Sequence, residues 1–301
     1  MGRKKVMKSG RFGVIFGSGL DQESNLFGTG KGKDFVVCTP YGALDFSEFP
    51  LDSETSLVST ARHLTGHILL PSEVNYRGIM YAMKTLNVEA VVGISAVGSR
   101  RSDIKPGTLV AVDQYIDHTH GRVNSFFGNG LAGHVSFGQP VCPNLQTDLV
   151  KAGRRLGITV KDGARLMVME GPAFSTEAEA QADQALAELI GMTSMPEAKL
   201  AREAELCYCT LACVTDYDAG IVKRPPVDAK EVERVFAVIK PNAIAVVSKA
   251  AKRFLARENY SCSDRTALDT AIMTDPRLIT RERISAQRAI LERWDDVHLK
   301  K

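Results

Sequence analysis

The chain has 301 residues, 44% of them hydrophobic and 24% charged, close to the averages of folded soluble domains, which excludes a disordered, collagen-like or disulfide-scaffold protein. Thirty-eight Lys and Arg against 35 Asp and Glu leave a net charge of +3, too weak a field to argue for nucleic acid or an anionic membrane surface as partner. A small molecule is the default partner that remains.

Residues 1–11 carry five basic side chains and no acid; they lack the apolar stretch of a signal peptide and read as a solvated tail. Residues 12–16 read as a first strand that ends in Gly17-Ser18-Gly19. A helix is predicted over residues 76–86, with Ile79, Met80, Met83 and Leu86 at helical spacing. A strand at 90–94 runs into Ser95-Ala96-Val97-Gly98-Ser99, and further strands are predicted at 108–113 and 166–169. Helices follow at 176–189 and 197–204, then a long apolar strand at 206–215 that ends in Asp216-Tyr217-Asp218. Arg224-Pro225-Pro226 marks a loop before a helix at 229–239. A last helix at 281–298 carries an apolar stripe of Ile284, Ile290, Leu291 and Trp294, which needs its own core or a neighbouring subunit to cover it.

Strands alternating with helices predict an α/β fold, a central mixed, mostly parallel sheet flanked by helices. With no repeat and no low-complexity linker, one domain is expected over residues 12–256. Residues 257–301 form a charged helical extension, either part of that domain or appended to it. The longest apolar runs fall far short of the roughly 20 residues of a membrane helix, so no membrane partner is expected. The six cysteines are thinly spread, with no Cys-x-x-Cys pair and no histidine spacing that closes a zinc site. They read as reduced thiols of a cytoplasmic protein without a metal.

In open α/β sheets ligands bind where strands end. Gly17-Ser18-Gly19 offers unhindered backbone N–H groups and a hydroxyl, and Arg62-His63 adds a guanidinium able to grip two phosphate oxygens. Ser95-Ala96 supplies a second hydroxyl and Thr193 a third. With neither a Gly-x-x-x-x-Gly-Lys-Ser/Thr loop nor a Gly-x-Gly-x-x-Gly fingerprint, free phosphate is a simpler candidate than a nucleotide. Each residue also has a plain structural reading. Asp216 and Asp218 suit a turn, Met192 a core, His63 and His67 satisfied structural positions, and Thr193 a helix N-cap ahead of Pro196.

Eight motifs in order carry a family resemblance: Gly17-Ser18-Gly19-Leu20, Arg62-His63 with His67, the 71–76 run Pro-Ser-Glu-Val-Asn-Tyr, and Ala96-Val97-Gly98-Ser99, then Asp113-Gln114-Tyr115-Ile116-Asp117, Glu170-Gly171-Pro172, the 191–197 run Gly-Met-Thr-Ser-Met-Pro-Glu, and Thr215-Asp216-Tyr217-Asp218. Together, from about residue 12 to 240, the chain resembles the 5′-methylthioadenosine phosphorylase branch of the trimeric purine nucleoside phosphorylases. The resemblance implies phosphorolysis of 5′-methylthioadenosine to adenine and 5-methylthioribose 1-phosphate by a homotrimer, with inorganic phosphate as co-substrate and neither metal nor organic cofactor. It implies that Ser18, Arg62, His63, Ser95, Ala96 and Thr193 hold phosphate, that Met192 lies beneath the ribose, and that Phe174 contacts the nucleoside. Asp216 and Asp218 would face the base, Asp216 protonated to donate at N7 and Asp218 accepting from a 6-amino group. Val232, Val235 and Phe236 match an apolar 5′ pocket, approached in the family by a histidine of the adjacent subunit, which His134 matches.

Three positions depart from the family pattern: Leu64 replaces a glycine, and Ala173 and Glu177 replace arginines. The 191–198 run and Thr119-His120-Gly121-Arg122 are also similar to a relative that cleaves 5′-methylthioinosine, although that relative lacks the Asp-x-Asp pair. Two alternatives therefore stand beside the leading reading: a phosphorylase of 6-oxopurine nucleosides (5′-methylthioinosine, inosine, guanosine), and a catalytically silent relative that serves as a binding partner.

Overall fold

A computed structural model of the chain describes residues 10–17, 27, 31–223, 227–257 and 261–298. Its elements in order are β1 (Gly10–Phe16), β2 (Lys33–Thr39), β3 (Gly42–Pro50), β4 (Thr55–Ala61), α1 (Tyr76–Thr85), β5 (Val88–Ser99), β6 (Leu109–Ala111), β7 (Gln114–His118), α2 (Pro143–Leu156), β8 (Val160–Asp162), β9 (Arg165–Met169), α3 (Glu177–Asp183), β10 (Leu189–Gly191), α4 (Glu197–Glu203), β11 (Cys207–Tyr217), α5 (Ala229–Leu255), α6 (Arg281–Ala286) and α7 (Arg288–His298).

The strands join one mixed, mostly parallel sheet whose main path runs β2-β3-β4-β1-β5-β10-β9-β7. β5 is its hub: β1 and β11 flank it in parallel and β10 pairs antiparallel with its end. β11 turns the sheet aside through β6 to β8. Near-continuous burial along β5 and β11 means both faces are covered, the condition under which parallel strands read as apolar runs. The pleat divides the core. Cys207, Cys209, Leu211 and Cys213 of β11 join α2 and α5 in one cluster, while Tyr208, Ala212 and Val214 join α1 and α4 in another.

Local chemistry fixes several helix ends. Asn75 accepts from Gly78 N–H to start α1, Thr176 and Glu179 form a capping box on α3, and Gly157 ends α2 at φ 71°. The predicted helix over 176–189 is shorter than expected: α3 stops at Asp183, and Leu189–Gly191 extends as β10 between β5 and β9. The helix predicted to end at 239 continues through Pro241 to Leu255. A proline inside a helix costs about 3 kcal/mol, which burial of Val246, Val247, Ala250, Ala251 and Phe254 offsets at about 1.5–3 kcal/mol for each large side chain. The helix expected over 281–298 is broken at Gln287 into α6 and α7. Its stripe docks on the chain's own core, where Ile290, Leu291 and Trp294 are buried. No subunit contact is needed to cover it. No helix among the described residues is long and apolar enough to cross a membrane.

Candidate active site

The C-terminal ends of β1, β5 and β11, with the loops after β4, β9 and β10, enclose a cavity of about 500 Å³, a size that suits a drug-sized ligand. Gly17, Arg62, His63, Ser95, Ala96 and Thr193 stand in its wall. So do Met192, Phe174, Asp216, Asp218, Val232 and Phe236. Ser18 lies outside the described residues.

At one end the side chain of Ser95 meets that of Thr193, Oγ to Oγ1 at 3.1 Å. Thr193 is not a helix cap: the residue preceding α4 is Pro196, and no side chain caps that helix. The Arg62 guanidinium, expected to grip two phosphate oxygens, is instead engaged within the protein. Its Nε and Nη2 donate to the two carboxylate oxygens of Glu197 at 2.7 and 2.8 Å, and Nη1 donates to Ile94 O at 2.7 Å. Arg62 and Glu197 are each 1% exposed. The fork thus anchors α4 beneath the anion end rather than offering both arms to a ligand. Gly93 makes room for this pair, because a Cβ there would fall 2.5 Å from Glu197 Oε1 and 2.8 Å from Arg62 Nη2.

His63 Nδ1 lies 2.8 Å from Leu69 O and so carries a proton, leaving Nε2 of the neutral ring as an acceptor. Burial is the main reason its pKa falls to about 4, with His67 and Arg62 adding to the effect against the Leu69 hydrogen bond. The His67 ring stacks on it at 4.3 Å. A neutral His63 suits the hydroxyl of monohydrogen phosphate better than a bare oxyanion.

At the opposite wall two carboxylates with different surroundings stand at the end of β11 and just past it, Asp216 and Asp218. A register shift between Val214 and Asp216 places Asp216 opposite Gly98 of β5. A Cβ on Gly98 would lie 2.9 Å from Asp216 Oδ2, so glycine leaves space for the carboxyl group. Burial raises the Asp216 pKa, the Thr215 hydroxyl at 2.6 Å opposes that shift, and Asp218 adds to it. Asp218 instead accepts from Arg100 Nε at 2.8 Å and from Ala219 N–H at 2.9 Å. Arg100, 1% exposed, was not singled out from the sequence. Its only signal there was a basic residue directly after the small-residue end of β5.

Arg122, which the sequence marks only within the Thr119-His120-Gly121-Arg122 run, is a second residue whose role the fold reveals. Its guanidinium donates to Met192 O and Met195 O at 2.6 Å each and to Glu170 O at 2.8 Å. It thereby fastens together the two loops that bear Met192, Thr193 and Phe174. Gly171, at φ 71°, brings these loops into contact, since a Cβ there would meet Met192 Sδ at 2.6 Å.

Near the start of α5, Val232 and Phe236 line the cavity together with Val227. Val235 does not; it packs on the cluster beneath the sheet. His134 is also absent from the cavity wall of its own chain, and its N–H donates to Ala271 O at 2.9 Å. Leu64 adopts φ 59°, a left-handed conformation that glycine takes without strain.

Residues 35–252 match the model of the phosphorylase superfamily. An S-methyl-5′-thioadenosine phosphorylase of Geobacter sulfurreducens is 43% identical over 90% of this chain and 96% of its own length. One of Bradyrhizobium diazoefficiens is 41% identical over 88% and 91%. Among solved structures, a methylthioadenosine phosphorylase from an antarctic soil metagenomic library superposes with a TM-score of 0.83 at 36% identity, covering 94% of this chain and all of that one. Methylthioadenosine phosphorylase of Schistosoma mansoni in complex with adenine gives a TM-score of 0.78 at 28% identity, covering 94% and 98%. On sequence and fold together, the chain belongs to the S-methyl-5′-thioadenosine phosphorylase family of the phosphorylase superfamily.

Proposed function

We propose that this protein is a pentosyltransferase that cleaves 5′-methylthioadenosine with phosphate, giving adenine and 5-methylthioribose 1-phosphate for purine and methionine salvage. The observation that carries this reading is the division of labour between two carboxylates on one wall: Asp216, half-buried with a raised pKa, and Asp218, buried and paired with Arg100. A carboxyl whose pKa is raised is suited to donate a proton, and one held by a guanidinium N–H is placed to accept. A phosphate oxygen forms a bond to the anomeric carbon while the bond to purine N9 breaks and its electron pair moves into the purine. Asp216 protonates N7 of the departing base, and Asp218 accepts from the 6-amino group. Ser95, Thr193, Ala96 and Ser18 hold phosphate, with His63 accepting from its hydroxyl; the charge-neutral Arg62–Glu197 pair sets the floor of that site. Met192 and Phe174 flank the nucleoside, and Val232 and Phe236 receive the methylthio group.

Phosphate is a substrate here, and the reaction needs no metal or organic cofactor. Family membership supports a homotrimer in the cytoplasm, in which His134 of one subunit approaches the 5′ pocket of the next. The test is kcat/KM at saturating phosphate for 5′-methylthioadenosine, adenosine, 5′-methylthioinosine and inosine. The highest value belongs to 5′-methylthioadenosine. Preference for either inosine compound moves the assignment to a 6-oxopurine phosphorylase, and no cleavage of any of the four leaves a binding protein.

A further inference from the structure

Four side chains that do not line the catalytic cavity converge from three distant parts of the chain. Cys142 precedes α2, Cys207 opens β11, and Cys262 and Asp264 lie at the first 3-10 turn that follows α5, Ser263–Thr266. Their ligand atoms all lie within 4.8 Å of one another. Cys262 Sγ is 3.5 Å from Cys142 Sγ and 3.1 Å from Cys207 Sγ. Cys142 and Cys207 are fully buried and Asp264 is 2% exposed.

Buried thiols alone need no ligand, because cysteine behaves as a small hydrophobe. A buried carboxylate among three thiols is different, since its charge must be matched. Arg202 matches it in part: Nη2 lies 2.8 Å from Asp264 Oδ1, while Nη1 and Nη2 also donate to Ser136 O and Gln139 O at 2.6 Å each. That arrangement orients the carboxylate as an outer-shell partner does in metal sites. Four donors, three sulfur and one oxygen, match the coordination number of a closed tetrahedral site. Zn–S bonds of about 2.3 Å set the sulfurs about 3.8 Å apart, a small opening from the distances present.

We propose that Cys142, Cys207, Cys262 and Asp264 bind one zinc-class divalent cation, which fastens residues 261–298 to the body of the fold. On binding, the three thiols release their protons to solvent, and three thiolates and one carboxylate ligate the ion. Two thiols alone would suffice for a disulfide, but that leaves the third thiol and the carboxylate unexplained.

The test uses the full chain, purified under reducing conditions, stripped with a chelator and titrated with Co²⁺ alone. One equivalent per chain is expected, with the visible bands of tetrahedral cobalt and near-ultraviolet charge-transfer absorption of three thiolates, all displaced by Zn²⁺. Cys262→Ser and Asp264→Asn each weaken binding at least roughly tenfold, as loss of a ligand or its support does; Cys38→Ser leaves it unchanged. The Asp264→Asn variant keeps the test valid if Cys262→Ser fails to fold. Absence of uptake, uptake indifferent to both variants, or a native chain lighter by two hydrogens through a Cys207–Cys262 disulfide would each overturn the proposal.

Discussion

Asp218→Asn tests the base-reading role where the structure is most explicit. Asp218 is 5% exposed and its two oxygens accept from Arg100 Nε and Ala219 N–H. In the variant the charged Arg100 donor holds the remaining amide oxygen, so the new NH₂ turns to the other side and one backbone hydrogen bond is lost. The carboxylate accepts from a 6-amino group but meets a 6-keto oxygen with like-signed charge, a mismatch of about 1–3 kcal/mol. Wild type should therefore favour 5′-methylthioadenosine over 5′-methylthioinosine by roughly ten- to hundredfold, and the variant should lose most of that ratio. Steady-state kcat/KM for both nucleosides, with the phosphate KM measured alongside, gives the answer. An unchanged ratio would refute the role of Asp218, and a large rise in phosphate KM would show that the substitution disturbs the whole site.

Asp216→Ala should lower kcat by roughly 10²–10⁴ for every purine nucleoside with little change in phosphate KM; a loss confined to 6-aminopurines would contradict N7 protonation. Ser95→Ala should raise the phosphate KM roughly tenfold, from about 1.5 kcal/mol for a hydrogen bond to a charged group, and an unaltered KM would remove Ser95 from the anion site. Arg62→Ala is the poorer probe, because it strands the buried Glu197 carboxylate. His63 takes up its proton near pH 4 when folded but near 6.5 when unfolded, so the unfolded chain binds more protons between those values and stability is lost as pH drops from 6.5 to 4. Against His63→Asn, wild type should thus lose melting temperature from pH 6.5 to 4, and parallel profiles would sink the argument. Leu64→Gly relieves a left-handed residue at about 1–2 kcal/mol but adds unfolded-state entropy, so Tm should hold or rise by about 3 °C at most; a fall would mean that the Leu64 side chain contributes more than the strain costs.

What could be read from the sequence is what lies along one strand and its end. β1, β5 and β11 each close on small or acidic residues, and those ends converge in the cavity. Pairings between distant residues have no local trace. Arg62 meets Glu197 across 135 positions and Arg100 meets Asp218 across 118, so the fork of Arg62 reads as free until the fold is known. The same holds for Cys142 and Cys262, which are 120 apart, where no short spacing advertises a cluster. On α5, helical spacing groups Val232, Val235 and Phe236 on one face, but only the docking angle decides that Val235 turns to the core. The end of the predicted 176–189 helix fails for a related reason: Leu189 and Ile190 gain more by pairing with β5 and β9 than their helical spacing suggests.

The most direct measurement is adenine release from 5′-methylthioadenosine with and without inorganic phosphate, with the sugar product followed by phosphorus NMR. Release that requires phosphate and yields one 5-methylthioribose 1-phosphate per adenine is the predicted result. Equal release in phosphate-free buffer, with free 5-methylthioribose as the product, would mean that water is the nucleophile and would contradict the account at its centre.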